Sequence, residues 1–186
     1  MNVLGDIASV LYVATAAASL AAGRVALAAK NVRDGRFWCS VAAFFLGILA
    51  LRLIGLEQIA HDTVRSWFVS EGDYADRRAW QGPLAVVAIL MLAVGFAVFV
   101  RMAVRRRADA VTWTIRMALG GVWAMTGLIA IRLISFHGTD QLLYKGPHLN
   151  WVVDMGATLT SLAGAAGFIR AVRLLRKGRA ASRRPG

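Results

Sequence analysis

The chain has 186 residues, 58% of them hydrophobic and only 17% charged, with a mean hydropathy of +0.58. A soluble domain is nearer half apolar and a quarter charged, so this apolar excess has to be covered by lipid or by a large partner. The formal net charge of +12 does not point to nucleic acid, because the charge is sorted by segment and lacks the aromatic–basic interleaving of a nucleic-acid module.

The first apolar run covers about residues 7–29. Its flank, Met1 to Asp6, carries no basic side chain, whereas Arg24, Lys30, Arg33 and Arg36 lie at or beyond its far end. A cleaved signal peptide has the opposite order, so this run reads as a retained helix that enters with its N-terminus outward. The second run, about 38–54, is short and carries Arg52 near its outer end. From there a guanidinium can extend to the headgroups.

The first outer connection, residues 55–82, is long. Leu56, Ile59, Ala60, Val64, Trp67 and Phe68 recur at helical spacing, with Glu57, His61, Asp62 and Arg65 on the opposite face. This predicts an amphipathic helix over 56–69, lying on the outer leaflet or capping a bundle. Residues 71–81 follow, dense in turn formers and in both charge signs. Arg77 and Arg78 oppose the general charge trend unless Asp73 and Asp76 neutralise them. A solvated turn is preferred there to a surface for an anionic headgroup or a partner loop, since exposed charge pairs contribute little.

The third run, about 83–100, is rich in Leu, Val, Ile and Phe and reads as lipid-facing. The fourth covers 111–134 and the fifth 149–169, followed by a basic tail over 170–186 that anchors the topology and is attracted to anionic lipid. Each run is close to the roughly 20 residues needed to cross the hydrocarbon core. Trp38 and Trp113 fall at inner ends, and Trp80 and Trp151 at outer ends, where an aromatic ring with a polar edge suits the half-wet interface. Trp123 falls mid-span, as packing. Cys39 is the one cysteine; it excludes an intrachain disulfide and reads as a small apolar group.

With these spans the inner segments hold 16 Lys/Arg and 2 acids, and the outer ones 6 Lys/Arg and 8 acids. This positive-inside pattern predicts a multi-pass protein of a bacterial inner membrane, N-terminus outside and C-terminus cytoplasmic. The expected fold is an all-α integral membrane protein, one domain over 1–186 with five transmembrane helices. An internal repeat refines it. Ala50-Leu51-Arg52-Leu53-Ile54 parallels Ala130-Ile131-Arg132-Leu133-Ile134, and Gly82-Pro83 parallels Gly146-Pro147. The chain therefore reads as one helix plus two copies of a helical hairpin, related by an axis along the membrane normal. Pro suits the first turn of each returning helix. Small residues recur every four positions at Ala14, Ala18 and Ala22, and at Gly156, Thr160 and Gly164 beside Ala157, Ser161 and Ala165, which lets helix backbones approach closely.

Unusual polar residues gather on the outer side. Glu57, His61, His137, Asp140 and His148 could be brought together as metal ligands. No HExxH or closed ligand set supports that, and an interfacial hydrogen-bonded network explains them more simply. Bis-His haem needs histidines within facing helices, and all three here lie at helix ends or in loops. No cofactor is expected. Asp154, inside the fifth span, is a costly carboxylate, and Arg132 across the short outer connection is its expected ion-pair partner. Arg52, Asp62, Arg65, Arg77 and Arg78 complete the outer polar cluster. With no catalytic signature, the expected role is a non-catalytic accessory or scaffold subunit of a larger membrane complex, meeting lipid and other subunits or copies of itself. The alternative is a membrane enzyme or transporter that uses the outer cluster.

Overall fold

The structure, a computed structural model, describes residues 3–54, 109–134 and 149–181, with Leu90, residues 93–95, 97, 100 and 101 between them. Four long helices account for most of these: α1 (Val3–Ala28), α2 (Val32–Leu53), α3 (Ala110–Ile134) and α4 (Leu149–Ala181). The described residues from 90 to 101 are helical as well, and no strand occurs among the described residues. Three helical stretches are long and apolar enough to cross a membrane: Gly5–Ala28, Val32–Leu53 and Trp151–Gly178. The amphipathic segment 56–69 and the two Gly-Pro sites lie outside the described residues, as does most of the third run.

The helices overrun the apolar runs where caps allow it. α1 ends in a Schellman turn: Lys30 N–H donates to the Leu27 carbonyl and Asn31 N–H to the Ala26 carbonyl. The motif needs a left-handed residue, usually Gly, just past the helix. Lys30 takes it, at φ 61°. Asn31 then opens α2, its side chain accepting from the Asp34 N–H while its Nδ2 donates to Asp34 Oδ2 at 2.7 Å. One residue thus closes one helix and caps the next, which starts α2 at Val32 rather than at the apolar run's first residue. That shift carries Trp38 from the expected interfacial position into the core, where it is fully buried. At the other end of the chain, α4 continues beyond the apolar run, through the basic segment to Ala181.

The buried positions follow an alternating three–four spacing in every helix. The row runs through Ala8, Tyr12, Thr15, Ser19, Ala22 and Ala26 on α1; Gly35, Trp38, Ala42 and Phe45 on α2; Thr114, Ala118, Gly121, Met125 and Leu128 on α3; and Asp154, Thr158, Ser161, Ala165, Phe168 and Val172 on α4, with further buried positions such as Ala16, Val41 and Ala157 beside it. This is the spacing of left-handed helix packing. α1 packs on α2 and on α4, and α4 packs on α3, while α2 barely meets α3. Trp38, near the start of α2, stacks on Phe168, far along α4, with ring centroids 5.2 Å apart. Since the tight turn makes α1 and α2 antiparallel, α1 and α4 run parallel as the central pair.

Small residues set the closest approach. A Cβ placed on Gly121 would collide with the Ser161 hydroxyl and the Ala157 carbonyl, and one on Gly164 would sit 2.8 Å from the Thr114 carbonyl. Ser161 Oγ also reaches the Ala118 carbonyl across the interface at 3.4 Å. Of the two stripes on α4, Ala157, Ser161 and Ala165 are buried, whereas Gly156 is exposed with open space where a Cβ would stand. On α1 the buried stripe is shifted from Ala14 and Ala18, which are half-buried, to the row through Tyr12, Thr15 and Ser19. Cys39 is exposed, its sulfur near the backbone of Gly23. Leu90 and Val94 are exposed, and Gly95 packs under the Trp123 ring.

Gly121→Ala should therefore lower stability by about 1–3 kcal/mol, the usual cost of overpacking a tight site. Gly156→Ala should be neutral or should stabilise by up to about 1 kcal/mol through helix propensity. Denaturant titration of both variants in the same detergent checks the contrast; equal effects would mean that α3 and α4 do not meet at Gly121.

Candidate functional site

Two residues from opposite ends of the sequence meet in the half of the bundle that holds the N-termini of α1 and α4. Tyr12 Oη donates to Asp154 Oδ1 at 2.6 Å. Both side chains are closed off from the surface, at 1% and 2% exposure. Tyr12 lies on the core stripe of α1 and Asp154 opens the core stripe of α4, so the parallel packing of these helices brings phenol and carboxylate to one level. A distance of 2.6 Å is a short, well-formed O–H···O hydrogen bond.

The Tyr12 ring has two further neighbours on α2. Phe45 packs on it at 6.2 Å between centroids, and the Arg52 guanidinium stands 6.0 Å over the ring. That distance is at the outer limit of a cation–π contact. The geometry follows from side-chain direction. Helical side chains lean towards their own N-terminus, so Arg52, in the last turn of α2, leans back along the bundle towards Tyr12. Asp154 is thus tied to α1, and α1 in turn to the end of α2. Below it, Thr158 Oγ1 returns to the Asp154 carbonyl at 2.8 Å.

Of the residues expected in the outer polar cluster, Arg52 and Asp154 are the two whose side chains are described, and Tyr12 lies between them. Glu57, His61, Asp62, Arg65, Arg77, Arg78, His137, Asp140 and His148 fall outside the described residues, so the metal-ligand set does too. Among the described residues, no group of three or more His, Cys, Asp or Glu is placed to hold a metal ion. The backbone of Arg132 belongs to α3, and its side chain lies outside the described residues.

Tyr12 was missed by sequence reasoning, although a signal existed. A phenol within an apolar run needs a hydrogen-bond partner, and Asp154 is the acid that lies well inside a later apolar run. Most hydroxyls elsewhere in the bundle satisfy themselves locally: those of Ser9, Thr15, Thr126, Thr160 and Ser161 donate to the carbonyl four residues back. Tyrosine is too long for that bond, so its partner has to come from another helix. Three buried groups, Ser19 Oγ, Trp38 Nε1 and Arg116 Nη1, have no hydrogen-bond partner among the described residues.

No protein-family model, curated protein or solved structure matches this chain. The chemistry of the site therefore stands on its own geometry. A buried carboxylate held by a phenol fixes helix register, and it is also the type of group that ion and proton pathways use.

Tyr12→Phe should lower stability by about 2 kcal/mol, since it leaves a buried carboxylate one donor short. Asp154→Ala should also destabilise, and the double variant should lose at least about 1 kcal/mol less than the sum, because contacting partners couple. Strictly additive losses in a detergent-based unfolding cycle would show that the two side chains do not interact.

Proposed function

We propose that the chain is a non-catalytic integral membrane subunit, an accessory or scaffold component of a larger membrane complex or of a self-assembly. The observation that carries this reading is the use made of the one deeply buried carboxylate among the described residues. Asp154 is bonded to Tyr12 and enclosed between helices, the arrangement of a register lock. The close-packed small-residue seams support the same reading, as do the large apolar side chains exposed along α1, α2 and α4, among them Val10, Val13, Leu20, Leu46, Leu51 and Leu159. Those faces need lipid or partner helices.

The finer membrane assignment belongs to this proposal. Five spans, built as one helix and two repeated hairpins, sit in a bacterial inner membrane with the N-terminus outside and the C-terminus in the cytoplasm. The charge split between inner and outer segments supports the orientation. The Arg52 and Arg132 segments, each ending an ascending helix, support the repeat. If the copies superpose, residues 37–104 overlay 111–176 with the two arginines at matching depth; an experimental structure with unrelated depths would dismiss the duplication.

Arg132 is proposed as a second partner of Asp154. The contacts of Gly121 with Ala157 and Ser161, and of Gly164 with Thr114 and Ala118, set the α3–α4 register. It puts Arg132 about 9 Å further along the bundle axis than Asp154, at 1.5 Å per residue. Because α3 and α4 are antiparallel, the general tilt of helical side chains towards their own N-terminus favours an approach of this pair across that offset. The same double-mutant cycle with Arg132→Met in place of Tyr12→Phe tests this pair.

The alternative, an enzyme or transporter working through Arg52, Asp154 and the outer polar cluster with or without a metal, rests on the placement of a carboxylate inside an apolar span. Purification from native membranes separates the two. A stable co-purifying membrane protein or a defined homo-oligomer is expected; a monodisperse monomer carrying stoichiometric metal would turn the reading to the alternative.

For the orientation, a reporter fused after Gly186 should be active in the cytoplasm, and one inserted at Asp73 should be active outside. The reverse pattern would move the whole polar cluster to the cytoplasmic side.

A further inference from the structure

The end of α4 carries a second feature that the register lock does not use. Ala166, Ile169, Arg170, Arg173, Leu174 and Lys177 line a groove of about 260 Å³. At about 100° per residue, this row lies roughly 140° round the helix from the buried row of Ser161, Ala165 and Phe168. It faces away from the core, and Arg170, Arg173, Leu174 and Lys177 are all exposed. Three cations and three apolar side chains therefore line the groove, Ala166 and the half-buried Ile169 on the side of the apolar run and Leu174 among the exposed cations further along α4.

These cations lack acidic neighbours on their own helix: from Met155 to Gly186 there is no Asp or Glu. Among the described residues, two acids lie at the same end of the bundle, and each already serves a helix start. Asp34 Oδ2 accepts from Asn31, and Asp109 Oδ1 accepts from the Thr112 N–H at the start of α3. Among the described residues, no acid forms an ion pair with the cations of the groove. The apolar run of α4 ends at about residue 169 and the helix continues through the basic segment, so the cations stand where the helix leaves its apolar stretch.

We infer that this groove binds an anionic phospholipid. Arg170, Arg173 and Lys177 hold the headgroup phosphate, and an acyl chain lies along Leu174, Ile169 and Ala166. Guanidinium suits a phosphate because its planar fork donates two parallel hydrogen bonds, and lysine adds a mobile point charge. Basic pockets at the ends of spanning helices recognise lipid headgroups on this principle. The inference rests on α4 being a membrane span, as proposed above.

The test uses the full chain purified in neutral detergent and titrated with dioleoylphosphatidylglycerol, with bound lipid counted by native mass spectrometry. Dioleoylphosphatidylcholine is the uncharged reference and inorganic phosphate the competitor. The anionic lipid should bind at least tenfold more tightly than the zwitterionic one, and millimolar phosphate should not displace it. The variant R170Q/R173Q/K177Q should lose at least tenfold in affinity. The charge-matched variant R176Q/R183Q/R184Q should change less than threefold, and R170K/R173K/K177R should retain binding, which separates loss of the site from loss of fold. Equal losses in the two charge-removing variants would overturn the inference in favour of diffuse attraction by the basic tail. Equal binding of both lipids would reduce the groove to an apolar surface, and displacement by phosphate would make it a site for the free anion. Release of the chain from membranes by alkaline carbonate would instead defeat the spanning reading, a result distinguishable from any of these.

Discussion

The bundle depends on how closely its helix backbones can approach. Where the surroundings are as apolar as the side chains, burying another leucine gains little, and association has to come from packing and from polar contacts between helices. Gly121 against Ala157 and Ser161, and Gly164 against Thr114 and Ala118, provide that approach between α3 and α4. Gly35 does the same between α2 and α1, where a Cβ would lie 2.6 Å from the Leu27 side chain. With backbones this near, a slip of either helix by one residue would drive a methyl group into a carbonyl. The α3–α4 and α1–α2 registers are therefore set by exclusion, and the α1–α4 contact between those two pairs is fixed by a polar pair.

Tyr12 and Asp154 are that pair. Their bond joins α1 to α4, two helices separated by more than a hundred residues of chain, and Arg52 over the Tyr12 ring brings in α2. In an apolar bundle such a contact discriminates more than it stabilises. The native alignment gains a modest hydrogen bond, whereas a misaligned one strands a carboxylate without its donor, which costs more than the bond is worth. The small residues exclude near-miss registers sterically, and the phenol–carboxylate pair excludes them electrostatically.

Much of the architecture could be read from the sequence because hydropathy reports helices of this length directly. The first, second, fourth and fifth apolar runs correspond to α1, α2, α3 and α4, and the stripe of Ala157, Ser161 and Ala165 is buried as its spacing implied. The ends of helices were harder to place. The apolar run marks where a helix is apolar, while its boundaries are set by caps; Asn31 and Asp34 start α2 six residues ahead of Trp38, and that offset takes the tryptophan out of the interface and into the core. Phase was harder still. Ala14, Ala18 and Ala22 repeat every four residues, but a seam that stays in contact over seven turns must alternate three and four, and the alternating row on α1 runs through Tyr12, Thr15 and Ser19. A strict four-residue reading drifts off the contact face and passes Tyr12 by. The carboxylate at Asp154 was identifiable as an expensive residue, whereas its phenol partner depended on which helices pack side by side, which no local pattern encodes.

The two polar features of α4 sit on opposite faces and follow different rules. Asp154 belongs to the core row, where a charge persists only with a fixed partner, so its surroundings are crowded and specific. Arg170, Arg173 and Lys177 belong to the outward row, where long side chains can follow the headgroup layer and no fixed protein partner is required. The same helix is locked towards its N-terminus by geometry and, in the proposed bilayer, tethered towards its C-terminus by charge. A helix held at both ends in these two ways resists sliding along the bundle axis as well as rotation about its own. Rotation would pull Asp154 from Tyr12 while turning the cations towards the core beside Phe168 and Val172; translation would break the Gly121 and Gly164 contacts while lifting the cations away from the phosphates. Both constraints act on one rigid helix of 33 residues, so each reinforces the other without any contact between the two sites, and α4 becomes the fixed element against which α1 and α3 are aligned.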